Sequence, residues 1–304
     1  MKVAITGATG FVGQRLIREL DKRGIGYVVF SRSPARARQA FPGASDVIGW
    51  NPPEDAPKPQ DLSGLDAVVH LAGATVAQRW TSRVRNQIRS SRILSTRCLV
   101  EALSWADRPP AVLVSTSAIG YYGPRDDTKL TEDAAPGSDF LSTVCQEWEA
   151  EALKAGQAGL RVVTARLGIV LGPGGGALGK MLTPFKMGVG GPIGSGSQWM
   201  SWIHIDDVVG LICEMLTNPD FAGAINLTAP EPVTNREFSR TLGRVLHRPA
   251  VMPTPVFALK LAFGGFADIL ASGQRVVPDR ARKSGYGFLF PSLEAALLDV
   301  LGKQ

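Results

Sequence analysis

The sequence predicts an α/β fold in which a doubly wound parallel sheet is joined to a smaller C-terminal lobe. Two observations support this fold class: short β-branched runs alternate with segments whose apolar residues have helical spacing, and the chain becomes glycine-rich after residue 172. Strands that alternate with helices imply right-handed crossovers and a parallel sheet covered on both faces. With 304 residues, the chain is long enough to bury such a core.

The strands of the sheet are predicted from β-branched runs. They are "KVAIT" from 2, "YVVF" from 27, "DVIGW" from 46, "DAVVHLAG" from 66, "AVLVSTS" from 111 and "RVVTARLG" from 161. A helix from 206 and the strand "AINLTA" from 224 are expected to return to the same sheet. The predicted sheet domain therefore covers residues 1–171 and 201–228.

The smaller lobe is predicted to comprise residues 172–200 and 229–304. It opens with "GPGGGALGKMLTPFKMGVGG", which is too long for a tight connection. The sequence "TNRE" from Thr234 has the pattern of a capping box at a helix start. The apolar stretch "PVFALKLAFGGFADIL" from 255 is short for a membrane span and is predicted to be a buried helix.

Composition excludes several classes of protein. Hydrophobic residues make up 44% and charged residues 20%, which is typical of a globular protein. The net charge is only +6 and the arginines are scattered, so no nucleic-acid partner is expected. Three separated cysteines without CxxC spacing indicate a reducing compartment, the cytoplasm, and no metal site. No secretion signal or membrane partner is expected, and the protein is expected to be a monomer or homodimer.

The strongest local pattern is "AITGATGFVGQRLIREL", which joins the first strand to the first helix. Gly7 permits the tight turn, Gly10 lets the backbone approach a pyrophosphate, and Gly13 lets the helix pack closely on the sheet. The helix N-terminus then offers unpaired N–H groups to phosphates, and the backbone from Thr9 through Phe11 and Val12 shares that contact. The pattern predicts a Rossmann-type dinucleotide site, with an unliganded glycine turn as the alternative.

The residues after the second strand predict which dinucleotide is bound. Folds that prefer NAD place Asp or Glu here to bind the ribose hydroxyls. This chain has Ser31 and Arg32, which offer a hydroxyl and a guanidinium to a 2′-phosphate, with Arg36 one turn further on. The predicted cofactor is therefore NADP(H). The alternative is a solvated basic helix start.

Several segments resemble the extended short-chain dehydrogenase/reductases, in their epimerase/dehydratase branch. Besides the glycine pattern, these are "HLAG" at 70–73, "STSAIGYYG" at 115–123, "RLGIVLGPGGG" at 166–176 and "SWIHIDDVV" at 201–209. The longer segments "QRWTSRVRNQIRSSRILSTRCLVEAL" and "ASGQRVVPDRARKSGYGFLFPSLEAALLDVL" are similar to the atypical group named epimerase family proteins, which have their own C-terminal domain. The resemblance covers essentially the whole chain.

The resemblance implies further contacts with the cofactor. Trp50 ends the third strand where the family contacts adenine, so its ring is expected to stack there. The other residues that the family's motifs place against the cofactor are Leu71, Ala72, Gly73, Ser115, Arg166 and Gly168.

The resemblance also places the catalytic residues, and here the chain departs from the pattern. In the family, a serine at the end of the fifth strand works with a tyrosine and a lysine of a YxxxK motif about 25 residues downstream. Ser117 occupies the serine position, but "GSDFLSTVCQEWEAEAL" at 137–153 contains neither tyrosine nor lysine. The candidate proton carriers are therefore Tyr121, Tyr122 and Glu147, with Glu149 nearby on the same helix. A tyrosine in this role needs a neighbouring cation to lower its pKa, and the candidates are Arg79, Arg89 and Arg92. The alternative is that both tyrosines are structural.

Two functional classes remain open from the sequence. The first is an NADP(H)-dependent oxidoreductase or epimerase-like enzyme with an unknown small-molecule substrate held by the second lobe. The second is a non-catalytic NADPH-binding sensor or scaffold protein. A polar, open cleft beside the nicotinamide favours the first class, and a blocked cleft favours the second.

Overall fold

A single parallel sheet organises most of the chain in the structure, a computed structural model that describes residues 1–302. Within these residues the strands are β1 Lys2–Thr6, β2 Gly26–Ser31, β3 Asp46–Gly49, β4 Ala67–His70, β5 Val112–Ala118, β6 Lys129–Leu130, β7 Arg161–Leu167, β8 Ile169–Leu171, β9 Trp199–Met200, β10 Trp202–His204, β11 Gly223–Leu227, β12 Val233–Thr234 and β13 Arg275–Val276. Seven of them form the sheet in the order β3, β2, β1, β4, β5, β7, β11, all parallel. The predicted strands, including "AINLTA", are confirmed.

The helices cover both faces of this sheet. In the described part of the chain they are α1 Phe11–Lys22, α2 Pro34–Ala40, α3 Pro59–Leu62, α4 Ser82–Ser104, α5 Phe140–Leu153, α6 Gly176–Lys186, α7 Ile205–Thr217, α8 Asn235–Leu246, α9 Val256–Phe263, α10 Phe266–Leu270, α11 Asp279–Lys283 and α12 Leu293–Val300. Short 3-10 segments follow β5 at Ile119–Tyr122 and α5 at Lys154–Ala158. The alternation of strands and helices confirms the predicted α/β class.

The strand order fixes where a ligand can bind. From β1 the chain runs outward to β2 and β3 on one side, and then returns to β4, β5, β7 and β11 on the other. Helices α1 and α7 pack on one face, while α4 and α5 pack on the opposite face. The point where the order reverses, between β1 and β4, leaves a crevice at the carboxyl ends of the strands, which is where ligands bind in open α/β sheets.

Local sequence explains why α1 forms and stays on the sheet. Its apolar residues Leu16, Ile17 and Leu20 share one face and are buried against β1 and β2. Each such side chain contributes about 1.5–3 kcal/mol when fully buried. Lys22 lies in the last turn, where a cation interacts favourably with the helix dipole.

A second, smaller core lies beyond the sheet. It gathers side chains from α6, α8 and α12 around Trp202 and Phe238, together with Leu171 at the end of β8. The Thr234 hydroxyl accepts a hydrogen bond of 3.2 Å from the Glu237 N–H, so the predicted helix start at "TNRE" is confirmed. The short pairs β8 with β10 and β9 with β12 join this core to the sheet domain.

The apolar stretch from 255 differs from its prediction as a buried helix. It forms two short helices, α9 and α10, separated by Gly264, which has a positive φ of 59°. None of the residues of α9, all of them described, is buried, and the side chains of Phe257 and Leu261 are 69% and 72% exposed. Among residues 1–302, no helix is long and apolar enough to cross a membrane.

Candidate functional site

The glycine turn after β1 is tightly packed against the loop that follows β4. A Cβ atom at Gly7 would lie 2.7 Å from the carbonyl carbon of Leu71, and Gly7 itself has a positive φ of 70°. A Cβ atom at Gly13 would lie 2.4 Å from the Gly7 carbonyl oxygen. The Thr6 hydroxyl accepts hydrogen bonds of 3.2 Å from the N–H groups of Leu71 and Ala72, which fixes the two loops together.

The N-terminus of α1 is suited to bind an anion. Gly10 is the N-cap residue and offers no side chain, and the first turn has no acidic residue. The N–H groups of Val12 and Gly13 in that first turn have no acceptor inside the helix. Thr9 and Gly10 are exposed, so a phosphate can reach these N–H groups. The residues present therefore fit a dinucleotide pyrophosphate.

The turn after β2 also has the features expected of a phosphate contact. Arg32 is exposed, and within residues 1–302 its guanidinium forms no ion pair. The Ser31 hydroxyl accepts a hydrogen bond of 3.1 Å from the Ser33 N–H, which holds the turn in place. The arrangement leaves Arg32 available to a 2′-phosphate.

The glycine-rich loop that begins the second lobe has a structural explanation. The Phe11 ring lies so close that Cβ atoms at Gly172, Gly175 and Gly176 would approach it within 2.9, 2.6 and 2.9 Å. These glycines therefore make room for the ring that begins α1. Phe11 thus begins α1 and contacts the glycine-rich loop through its ring.

A buried row of polar side chains crosses the sheet near the carboxyl ends of its strands. Ser117 of β5, Arg166 of β7 and Asn226 of β11 are direct neighbours in the strand register. Glu149 of α5 lies above this row: it accepts 2.9 and 2.8 Å bonds from Arg166 Nε and Nη2, and a 2.6 Å bond from the Ser117 hydroxyl. The side chains of Arg166 and Glu149 are only 4% and 8% exposed. Although burial opposes it, the bond to Glu149 raises the pKa of Arg166.

This row corrects two predicted roles. Arg166 was expected to contact the cofactor, but its remaining nitrogen donates to the Tyr122 hydroxyl at 2.9 Å and the Glu132 carbonyl at 3.2 Å, so that expectation is wrong. Ser117 was expected to take the family's catalytic serine position and to border the nicotinamide. Its hydroxyl is buried and donates to Glu149, so it is not free to act on a substrate, and its contact with the nicotinamide stays a prediction.

The two adjacent tyrosines have different environments. Tyr122 is fully buried, and its hydroxyl donates to Asn226 Oδ1 at 2.7 Å. Burial raises the pKa of Tyr122 to about 12. The prediction that Tyr122 exchanges a proton with a substrate is therefore wrong, because its hydroxyl is bonded on both sides inside the core.

Tyr121 is the tyrosine that remains available. It is half-buried, and the Arg166 guanidinium carbon lies 3.5 Å from its ring centroid. In the part of the chain that the structure describes, the Tyr121 hydroxyl has no hydrogen-bond partner. A free phenol thus follows β5 directly, with a buried cation under its ring.

The carboxylate nearest to this row is Glu149 and not Glu147. Glu147 points outward and binds Arg89 through both oxygens, at 2.7 and 2.8 Å, with side chains 34% and 56% exposed. Its predicted catalytic role is therefore wrong. Two residues apart on a helix differ by about 200° in direction, so the phase of α5 decides which glutamate faces the sheet.

Trp50 and Gly168 also serve the packing of the sheet domain. Trp50 is 3% exposed, packs between Phe30 and His70, and donates from Nε1 to the Asp55 carbonyl at 3.0 Å. Its ring has no exposed face for adenine, so the predicted stacking is wrong. At Gly168 a Cβ atom would lie 2.5 Å from the Ser201 carbonyl oxygen, which explains this glycine without a cofactor.

His70 and Ser115 lie side by side on β4 and β5, next to the crevice. His70 is fully buried between the hydroxyls of Thr6, 2.7 Å from Nδ1, and Thr96, 3.1 Å from Nε2. Burial lowers the pKa of His70 to about 4, so it is a neutral structural residue. The Ser115 hydroxyl is buried without a partner among the described residues, and its cofactor contact stays a prediction.

Arg92 is an arginine near the crevice whose contacts only the structure shows. It lies on α4, and its Nη1 donates to the carbonyls of Ala74 at 3.0 Å and Ile88 at 3.2 Å. Its guanidinium carbon is 5.2 Å from the centroid of the Trp148 ring. Burial lowers the pKa of Arg92. The sequence of α4 contains five arginines, and only the structure shows which of them points towards the crevice.

The comparison with family models agrees with this geometry. A model of the NAD dependent epimerase/dehydratase family matches residues 3–227. The chain belongs to this family. A second model, a domain of unknown function called DUF1731, matches residues 254–300 of this epimerase-family chain. The resemblance read from the sequence is thus confirmed.

Relatives with similar sequences extend over the whole epimerase-family chain. It is 44% identical over 303 residues to the epimerase family protein SDR39U1 homolog, chloroplastic, of Arabidopsis thaliana, covering 99% of this chain and 87% of that protein. It is 38% identical over 306 residues to the human epimerase family protein SDR39U1, covering 99% and 100% of the two chains.

Solved structures show the same fold. A crystal structure of human SDR39U1 (isoform 2) with NADPH has a TM-score of 0.89 and 36% identity to this chain, with all of both chains covered. The UDP-glucuronic acid 4-epimerase of Bacillus cereus, solved with UDP-glucuronic acid and NAD, has a TM-score of 0.79 at 18% identity and covers 99% and 98% of the two chains. At that identity the likeness concerns the fold alone.

Proposed function

We propose that the protein binds NADP(H) and acts as an oxidoreductase or epimerase-like enzyme on a small molecule, without the tyrosine and lysine pair of its wider family. In this proposal, residues 1–171 and 201–228 bind the cofactor, and residues 172–200 and 229–302 cover the substrate. Free thiols at Cys98, Cys145 and Cys213 support a reducing compartment such as the cytoplasm. The protein acts as a monomer or homodimer.

The packed glycine turn and the free Arg32 support the choice of cofactor. The backbone from Thr9 to Gly13 would hold the pyrophosphate, and Ser31 with Arg32 would hold the 2′-phosphate. The Leu71 to Gly73 loop would border the cofactor because Thr6 fixes it against the glycine turn. The NADPH bound to the human relative supports the same choice. When bound in its reduced form, the cofactor supplies a hydride.

The observation that carries the catalytic proposal is the free hydroxyl of Tyr121 over a buried cation. Reduction of a carbonyl needs a proton at the oxygen as well as a hydride at the carbon. Tyr121 can give that proton because no other group in the described chain holds its hydroxyl. The guanidinium of Arg166, held in place by Glu149, then lies 3.5 Å from the centroid of the ring that carries the negative charge.

The adjacent tyrosines allow a matched test. We expect Tyr121→Phe to slow single-turnover oxidation of NADPH by a carbonyl panel by roughly 10²-fold or more, the range of general acid catalysis, with an unchanged free energy of unfolding. Tyr122→Phe loses two buried hydrogen bonds, so it should lower the free energy of unfolding by about 1–3 kcal/mol and leave the rate per folded molecule unchanged. Equal rates for Tyr121→Phe and the wild type would exclude Tyr121 as the proton donor.

A non-catalytic NADPH sensor or scaffold is the second candidate. The observation in its favour is that the Ser117 hydroxyl is buried and already bonded to Glu149. If NADPH binds tightly but no carbonyl of the panel oxidises it, the sensor function becomes the better account of the fold.

A further inference from the structure

The charges around α4 and α5 do not balance. Three arginines have carboxylate partners on α5: Arg89 and Arg97 of α4 bind Glu147 and Glu151, and Arg166 of β7 binds Glu149. Arg92 has none among residues 1–302, although its guanidinium is desolvated enough to lower its pKa. A partly buried cation without a counter-ion costs free energy, and an anion that binds to it offsets that cost.

The unused edge of Arg92 has the geometry of an anion site. Nη1 is occupied by the carbonyls of Ala74 and Ile88, which fixes the plane of the guanidinium. Nε and Nη2 have no hydrogen-bond partner in the described chain. Neither nitrogen is fully buried, so both retain contact with solvent. These two nitrogens present parallel N–H groups, the edge that binds a carboxylate or a phosphate in a bidentate manner.

The surroundings keep this edge accessible. Gly73 is exposed, and a Cβ atom there would lie 3.3 Å from the Arg92 guanidinium carbon, so the missing side chain leaves space beside the group. Trp148 packs near the guanidinium and is itself anchored through Nε1 to the Thr96 hydroxyl at 2.9 Å. Cys145 lies near Arg92, and its thiol contacts Ser117, so Arg92 lies close to the polar row below Tyr121.

The position separates this site from the anions of the cofactor. The pyrophosphate would lie at α1 and the 2′-phosphate at Ser31 and Arg32, at the ends of β1 and β2. Arg92 lies instead beside the loop after β4, towards β5. A reduced nicotinamide ring is neutral and does not supply the missing charge.

We propose that the substrate carries an anionic group, a carboxylate or a phosphate, that Arg92 binds through Nε and Nη2 beside the Gly73 loop. This inference rests on the proposed function, since it names the substrate class of the same crevice. The substrate is then an acidic carbonyl or hydroxyl compound, oriented with its acidic group at Arg92 and its reacting carbon towards Tyr121.

The test uses anions as probes and needs no turnover. In the full-length protein, with and without NADPH, ¹⁵N NMR would follow the arginine Nε–H signals during titration with acetate, inorganic phosphate and neutral acetamide. Arg92→Gln identifies the Arg92 signal and Arg92→Lys keeps the charge. Arg83→Gln is the control, because Arg83 is exposed on the same helix and makes no ion pair within residues 1–302.

We expect a saturable shift of the Arg92 signal with acetate or phosphate but not with acetamide. Anion affinity should fall at least tenfold in Arg92→Gln, fall less in Arg92→Lys and be unchanged in Arg83→Gln. Preference between acetate and phosphate tells which acidic group the substrate carries. The inference is overturned if Arg92 does not respond, if Arg83 responds equally, or if Arg92→Gln weakens NADPH binding tenfold instead. Because the anion titration is also done without NADPH, a failure to bind cofactor remains a separate result.

Discussion

The buried pair of Arg166 and Glu149 should be essential to stability, and its exposed counterpart on the same helix should not. Glu149→Gln removes one charge and leaves the Arg166 guanidinium buried without a counter-ion, held by neutral acceptors such as Tyr122 and the Glu132 carbonyl. Breaking one partner of a buried ion pair costs about 3–5 kcal/mol, because the remaining charge is neither solvated nor paired. Glu147→Gln breaks the pair with Arg89, in which the Glu147 side chain is 34% exposed and the Arg89 side chain is 56% exposed. It should therefore lower the free energy of unfolding by only about 0–1 kcal/mol.

Urea denaturation followed by tryptophan fluorescence measures both costs, with Trp148 of the same helix as a local reporter. A double variant, Glu149→Gln with Arg166→Met, removes both charges. Its cost should be lower than the sum of the two single costs by about 2–3 kcal/mol, since neither charge is left alone. A cost below about 1 kcal/mol for Glu149→Gln, or equal costs at positions 147 and 149, would refute the assignment of the buried pair.

Two further predictions concern the cofactor and the pH dependence of stability. Arg32→Ala should weaken NADPH binding by roughly 1–3 kcal/mol, the scale of a charge-assisted hydrogen bond, and leave NADH unchanged in calorimetric titration; equal losses for both cofactors would contradict a 2′-phosphate contact. His70 has its pKa lowered to about 4, below its value in the unfolded chain, so the unfolded state binds the extra proton as pH falls. The free energy of unfolding should therefore drop by about 3 kcal/mol between pH 6.5 and pH 4 on account of His70. His70→Asn should lose less stability than the wild type over that range in denaturation series, and parallel pH curves for the two proteins would argue against this role.

The sequence predicted the sheet because its signals are local. Each strand run of the first lobe is a β-branched segment bounded by turn residues, and the glycine spacing at Gly7, Gly10 and Gly13 can be read without any tertiary contact.

The predictions that were wrong depended on the direction of a side chain. Trp50 and Arg166 lie near the ends of strands, where the sequence does not show which face of the sheet a side chain is on. In the structure both side chains point into the core. The sequence could not show which of Glu147 and Glu149 faces the sheet, because that depends on the rotational phase of α5. The exposed helix α9 was missed because its apolar residues resemble a core segment, and only the packing of the rest of the chain shows that no core reaches it.

The polar row beneath Tyr121 and the polar groups around it bind to the far end of the chain. Asn226 Nδ2 donates to the Val277 carbonyl at 3.0 Å, the Ser201 hydroxyl donates to the Gln274 carbonyl at 2.7 Å, and Glu132 accepts from the Arg280 N–H at 3.3 Å. During synthesis the seven strands of the sheet are complete once residue 227 is free, yet these groups stay without their partners until residue 280 has left the ribosome. A nascent chain that stalls between these points can form the sheet but cannot finish the site, so a prematurely ended polypeptide would hold a dinucleotide fold without its completed polar row.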